Sequence, residues 1–263
     1  MDRLKPISPT DLYLELGTAR APVLLDVRTD ANFDADDRLI VGARRMPESP
    51  DQRKVKPARD QRFVVYGSHG AEATQGAAEA LGECGREAAY LEGGFAAWVA
   101  QGFPTRRQLT SGWSKWITRE RPKIDRIACP WLIRRFIDPE AEFIYVPAER
   151  VLPEAKAMGA VPYDIPDVEF THERERCSFD TFLRIYDIAD PPLQRLALIV
   201  RGADTSRHDL APQCSGLFAI SLGLSTNVPD DHTMLEHGMV IYDALYTWCR
   251  SLQAETHGWP PKG

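Results

Sequence analysis

Phe63-Val64-Val65-Tyr66-Gly67-Ser68-His69-Gly70-Ala71-Glu72-Ala73 is the stretch that decides the fold of the first half of this chain. Four β-branched or aromatic residues in a row predict a buried strand. Glycines and Ser68 then predict a sharp turn, and a helix follows near 71–83. The turn falls at the carboxyl end of a central strand, where open α/β sheets bind ligands. Gly67, Ser68, His69, Gly70, Ala71 and Glu72 form a loop leading into a helix N-terminus, whose N–H groups make a natural anion cradle. Working outward, strands are predicted near 23–28, 43–46 and 88–91, and a helix near 94–101. Ser8-Pro9-Thr10-Asp11 opens another helix, with Ser8 as its cap. Alternating β and α units predict a parallel sheet with helices on both faces.

These segments resemble the rhodanese family. Val23-Leu24-Leu25-Asp26-Val27-Arg28 is similar to its "LLDVR" strand, and Val41-Gly42-Ala43-Arg44-Arg45-Met46-Pro47 to its "PGA…IP" segment. Leu91-Glu92-Gly93-Gly94-Phe95-Ala96-Ala97-Trp98, with Gly102-Phe103-Pro104, resembles its closing motif. In that family the strand before the loop ends on a nucleophilic cysteine that carries a persulfide. The resemblance puts Gly67 at that position. Glycine has no side chain to attack sulfur, so it implies a sulfurtransferase scaffold with no catalytic residue.

The composition is that of a soluble globular protein: 263 residues, 43% hydrophobic and 27% charged. No apolar run approaches the length of a membrane span, and Met1-Asp2-Arg3-Leu4-Lys5-Pro6 does not read as a signal peptide. Five cysteines, odd in number and without a CxxC pair, suit a reducing cytoplasm. The net charge of −6 is shared evenly between the halves, which disfavours a nucleic-acid surface. The basic stretch Arg53, Lys54, Lys56, Arg59 and Arg62 reads as a solvated loop or a contact for an anion or protein partner.

Three parts are expected: an α/β domain over 1–105, a linker over 106–117, and a mostly helical α+β domain over 118–263. The aperiodic linker predicts that the two domains fold separately. In the second domain, residues 124–137 carry an amphipathic stripe, with Pro130 expected to kink or split the helix just before Cys129. Residues 142–146 predict a strand and 161–165 a further one. Helices are predicted near 178–186, 191–201, 212–223 and 230–252.

Four segments of this domain resemble the C-terminal domain of the chromate-resistance protein family. They are Lys123 to Asp138, Phe170 to Asp180, Ile199 to Thr205, and Leu222-Gly-Leu-Ser with Tyr242 to Cys249. The resemblance implies a part in the response to chromate, as an accessory or sensor protein, with the first domain a non-catalytic binding module. A metal-dependent enzyme and a residual sulfurtransferase are the alternatives.

Asp125, Arg126, Cys129, His172, Cys177, Arg201 and Asp204 come from these segments and are expected to face one pocket. Asp125 and Cys129 share a helix face if the helix is continuous. His232, Glu236 and Asp243 fall within about 40° of one another around the last helix. Imidazole, thiolate and carboxylate are ligands for a borderline metal such as zinc or iron, with His172 and Cys177 first and Glu236 and Asp243 as further candidates. Two other readings stand beside the metal: a closed polar network, and an oxyanion pocket for chromate built on Arg126, Arg134 and Arg201. His208 and His237 read as surface residues. Cys214 and Cys249 read as packing residues, and Cys84 is not expected to replace the missing nucleophile.

Overall fold

The computed structural model describes residues 5–46, 61–70, 74, 76–78, 81, 87–108 and 115–255. The first half is built on a five-stranded parallel sheet in the order β1-β6-β5-β2-β4. Its strands are β1 Lys5–Ile7, β2 Val23–Asp26, β4 Ala43–Arg45, β5 Phe63–Tyr66 and β6 Ala88–Leu91. The apolar run of β5 is fully buried because its strand is central and covered on both faces. Helices α1 Pro9–Glu15, α2 Asp30–Ala35 and α3 Gly94–Ala100 flank it. Ser8 caps α1 as its side-chain type requires, accepting the Asp11 N–H at 3.1 Å. The "LLDVR" strand ends in a buried pair: Arg28 holds both oxygens of Asp26, donates to the carbonyls of Asp36 and Arg38, and lies 4.2 Å over the Phe95 ring.

A small antiparallel pair, β3 Arg38–Ile40 with β7 Thr105–Arg107, was not anticipated. Of the expected linker, residues 109–114 lie outside the described residues. Its first residues complete β7, and its last belong to β8 Lys115–Arg119. β8 lies between β9 Glu142–Val146 and β10 Val161–Pro162 in a second parallel sheet.

The second half is mainly helical. α4 Asp125–Leu132 continues as a π-helical turn over Ile133–Ile137. Pro130 lies inside α4 without splitting it before Cys129, and the Ile133 N–H is shared between the Cys129 and Pro130 carbonyls. The loss of one N–H is thus absorbed by a wider turn downstream. Then come α5 Val151–Met158, α6 Ser178–Ile185, α7 Pro191–Asp204, α8 Cys214–Asn227 and α9 Asp231–Thr247. A π-helical turn over Trp248–Leu252 extends α9.

One apolar core runs through both halves, from Leu12, Leu16 and Trp98 to Trp131, Phe136 and Tyr246. Gly17, at φ +69°, lies so close to the Tyr246 ring that a Cβ there would fall 2.4 Å from a ring carbon. The Gly42 N–H donates to the Phe136 carbonyl at 2.7 Å, and the Arg107 N–H to Tyr186 at 2.8 Å. Arg38 pairs with Asp187 at 2.6 Å. Hydrogen bonds and apolar contacts on this scale join the two halves through one continuous core.

Candidate metal centre

Asp125 opens α4 and is 1% exposed. Its two oxygens cap the start of α6, accepting the N–H of Ser178 at 2.7 Å and of Phe179 at 3.1 Å. A carboxylate on a helix N-terminus is stabilised by the free N–H groups and the helix dipole. Cys129, one turn along the continuous helix, donates its thiol to Asp125 at 3.3 Å. The residue before Asp125 is strained. Ile124 has φ 42° and ψ −96°, a conformation β-branched residues avoid. Two long-range bonds hold it there, besides those its carbonyl accepts from the Ile127 and Ala128 N–H groups of its own helix: its N–H donates to Ser221 Oγ, and its carbonyl accepts the Tyr242 hydroxyl, both at 2.9 Å.

Around this anchor three carboxylates meet one imidazole. His172 Nε2 lies 3.3 Å from Asp164 Oδ1, 3.3 Å from Asp204 Oδ2 and 3.6 Å from Asp125 Oδ2. Asp164 reaches in from a left-handed backbone position just after β10, and Asp204 from the last residue of α7. The aspartates are buried or nearly so, whereas the His172 side chain is 40% exposed and opens the group to solvent. Hydrogen bonds to Asp125, Asp164 and Asp204 push the imidazole up to about 12. Burial pushes the Asp125 carboxyl up to about 6.

A single Nε2–H cannot donate well to three carboxylates, and 3.3–3.6 Å is long for a charge-assisted hydrogen bond. The same distances match the edges that run from one donor to the others in a tetrahedral ligand shell. Bonds of about 2.0–2.2 Å to nitrogen and oxygen give edges of about 3.3–3.6 Å. Donor atoms of Asp125, Asp164 and His172 all lie within 4.8 Å of one another; Asp204 approaches His172 but lies outside that mutual group.

The remaining expected residues are distributed differently. Cys177 caps α6, with its thiol turned to Asp180 at 3.5 Å. Burial pushes both the Cys177 and the Cys129 thiols up, so neither favours the thiolate form that a metal needs. Arg201 clasps Asp180 through two bonds and not Asp204. Arg126 faces Asp164 at 3.4 Å. Glu236 and Asp243 do not join the centre: Glu236 pairs with Arg134, and Asp243 with Arg135 and the Trp131 indole. They tie α9 to α4 and its extension. Asp164 and Asp180 were missed. For Asp164 a signal existed, an acid inside the otherwise apolar Val161-Pro162-Tyr163-Asp164-Ile165.

In the first half, Gly67 is buried at the end of central β5. Its carbonyl accepts the Phe95 N–H at 2.8 Å, and that of Ser68 accepts Ala96 at 3.0 Å. A Cβ at Gly67 would lie 2.4 Å from the Thr74 hydroxyl. His69 is exposed. Ala71, Glu72, Cys84 and the basic residues 53–59 lie outside the described residues.

Fold and site together define a class: an α/β half of rhodanese type joined to a helical half that carries a cluster of aspartates around one solvent-facing histidine. Residues 8–101 match the rhodanese-like domain family. Residues 116–249 match the family described as ChrB, C-terminal domain, and the chain belongs to that family. A similar protein is Protein ChrB of Cupriavidus metallidurans, 33% identical over 150 residues. The match covers 57% of this chain and 45% of that protein, so the chain spans less than half of its relative's length. Solved structures resemble the first half. A rhodanese-related protein from Thermoplasma volcanium is 28% identical, covering 38% of this chain and 96% of that one, at a TM-score of 0.33. The Alr3790 protein from Anabaena sp. is 32% identical, covering 39% and 83%, at 0.34. Among the described residues no helix is long and apolar enough to cross a membrane.

Proposed function

We propose that this chain serves the response to chromate as a cytoplasmic accessory or sensor protein, and that its C-terminal half works by holding a divalent metal ion. His172 Nε2 and the carboxylates of Asp125 and Asp164 are the core ligands, with Asp204, next to His172, as the fourth. The observation that carries this reading is the spacing of 3.3, 3.3 and 3.6 Å from His172 Nε2 to three carboxylate oxygens. One imidazole and three carboxylates favour a small borderline or hard ion, such as zinc, iron(II) or manganese, over a soft one. In the absence of a metal, a proton on His172 supplies counter-charge beside the Arg119 and Arg126 guanidinium groups that flank Asp164, and metal binding displaces that proton. The oxyanion reading is weaker, because Arg126 and Arg201 already serve Asp164 and Asp180.

The rhodanese-like half is non-catalytic in this reading, with Gly67 where the family places its cysteine. A metal-dependent enzyme is the second reading. It is favoured by the exposed flank of His172, since catalytic sites keep one coordination position for water. Elemental analysis of the full chain, purified without chelator, tests the main reading. About one bound ion per chain is expected, and none after dialysis against a strong chelator. Cobalt substitution then separates the two readings, because an exchangeable water shifts the visible spectrum when azide is added.

A further inference from the structure

The joint between the halves and the aspartate–histidine group lie along one stripe of one helix. Tyr242, Tyr246 and Arg250 recur at four-residue spacing on α9 and its π-helical extension. Tyr242 donates to the Ile124 carbonyl at 2.9 Å and so holds the strained residue that aims Asp125. One turn on, the Tyr246 ring packs over Gly17, and its hydroxyl donates to buried Asp190 at 3.0 Å. The other oxygen of Asp190 accepts the Tyr13 hydroxyl of α1 at 2.6 Å. A further turn on, the Arg250 guanidinium donates to the carbonyls of Tyr13 and Leu16, both at 2.9 Å, and of Leu14 at 2.7 Å. It thereby closes the carboxyl end of α1, where orphan carbonyls and the helix dipole favour a cation.

We infer that the rhodanese-like half sets the geometry of the aspartate–histidine group through α9, with Tyr242, Tyr246 and Arg250 as positioning residues. The physical basis is strain. A β-branched residue at positive φ persists only while its surroundings over-determine it. The Ile124 carbonyl also accepts the Ile127 and Ala128 N–H groups of its own helix, and the Tyr242 bond is the long-range restraint borne by the helix that the other half grips. Loosening that grip lets α9 shift, the Tyr242 bond lengthen and Ile124 relax, which withdraws Asp125 Oδ2 from His172. The N-terminal half therefore has a role that needs no sulfur chemistry. The inference rests on the metal reading for its affinity measurement, but its structural part does not depend on a metal.

Two measurements on the full chain test it. The first is zinc affinity, by competition with a chromophoric chelator, for Tyr242→Phe, Arg250→Ala and Arg250→Lys. Couplings of this kind change affinity by roughly 3- to 30-fold. Tyr242→Phe and Arg250→Ala are expected to weaken zinc within that range, with Arg250→Lys recovering part of the loss. Affinities within twofold of wild type in both Tyr242→Phe and Arg250→Ala, at unchanged helical content, would overturn the inference. The second is hydrogen exchange at the Ser178 and Phe179 amides, which report the Asp125 bonds directly. Faster exchange there in Arg250→Ala supports the coupling even if the wild type binds no zinc, an outcome that sinks only the metal reading. Unchanged exchange at both amides refutes the coupling whatever zinc does.

Discussion

Ser178 and His172 converge on one oxygen of Asp164: the serine hydroxyl donates to Oδ1 at 2.8 Å, and the imidazole nitrogen faces the same atom at 3.3 Å. The Ser178 N–H also donates to Asp125 Oδ2 at 2.7 Å. One residue at the start of α6 thus fixes two of the three carboxylates. A ligand set orients well only when such outer partners hold it.

Ser178→Ala removes the hydroxyl and keeps the amide. It leaves Asp164 short of one buried donor, at a cost of about 1–3 kcal/mol in chemical denaturation. Zinc affinity should fall about 10- to 100-fold, the usual effect of losing an outer-shell partner. Unchanged zinc affinity in a folded Ser178→Ala protein would mean that Asp164 is not a ligand.

Proton release fixes the sign of the pH dependence. Without metal, His172 is pushed up to about 12 and Asp125 up to about 6. Zinc should therefore expel about one proton between pH 6 and 12 and about two below pH 6, so binding weakens on acidification. Calorimetry in buffers of different ionisation enthalpy counts them. The stability effect in the metal-free protein has the opposite sense. A raised folded-state value for His172 contributes stability below its ordinary ~6.5, and this is lost as pH climbs toward 12. The melting-temperature advantage of wild type over His172→Gln should therefore shrink from pH 6.5 upward.

Much of this was legible in the sequence. The strand 63–66, the Ser8 cap and the Asp125–Cys129 face follow from local pattern, and each is present in the fold. His172, Asp125 and Asp204 were singled out because polar residues beside apolar stretches need partners, and they meet. Asp164 was lost because Val161-Pro162-Tyr163-Asp164-Ile165 reads as a strand, whereas only two residues pair and Asp164 turns into the left-handed region. Glu236 and Asp243 misled because helical spacing gives a shared face but not its neighbour, here the arginines at 134 and 135. The joint between the halves is invisible to any local pattern, since Gly17 and Tyr246 are distant in sequence.

The loop after β5 should transfer no sulfur from thiosulfate to cyanide. Gly67→Cys alone should stay inactive, because its Cβ would meet the Thr74 hydroxyl at 2.4 Å. Overpacking of this kind costs about 1–3 kcal/mol. Relieving it with Thr74→Ala in the same chain should recover stability. Native turnover comparable to that of an active rhodanese would refute the non-catalytic reading.

Cleavage between residues 106 and 117 should leave the two halves associated. Trp98, Tyr246 and their neighbours form one core, and Arg250 ties α1 to the end of α9. The nicked protein should run as one species in size-exclusion chromatography and separate only in denaturant. Gly17→Ala should weaken that association, because the site combines φ +69° with a ring 2.4 Å away. Two fragments that elute apart under native conditions would contradict the shared core.

The most direct test is zinc titration of the metal-free full chain, run in parallel on wild type, Asp164→Asn, His172→Ala and Glu236→Gln. The expected result is one tight zinc ion per chain in wild type and Glu236→Gln, and loss of that ion in Asp164→Asn and His172→Ala while all four remain folded. No zinc bound to wild type, or undiminished binding in both Asp164→Asn and His172→Ala, would contradict a metal centre at these residues.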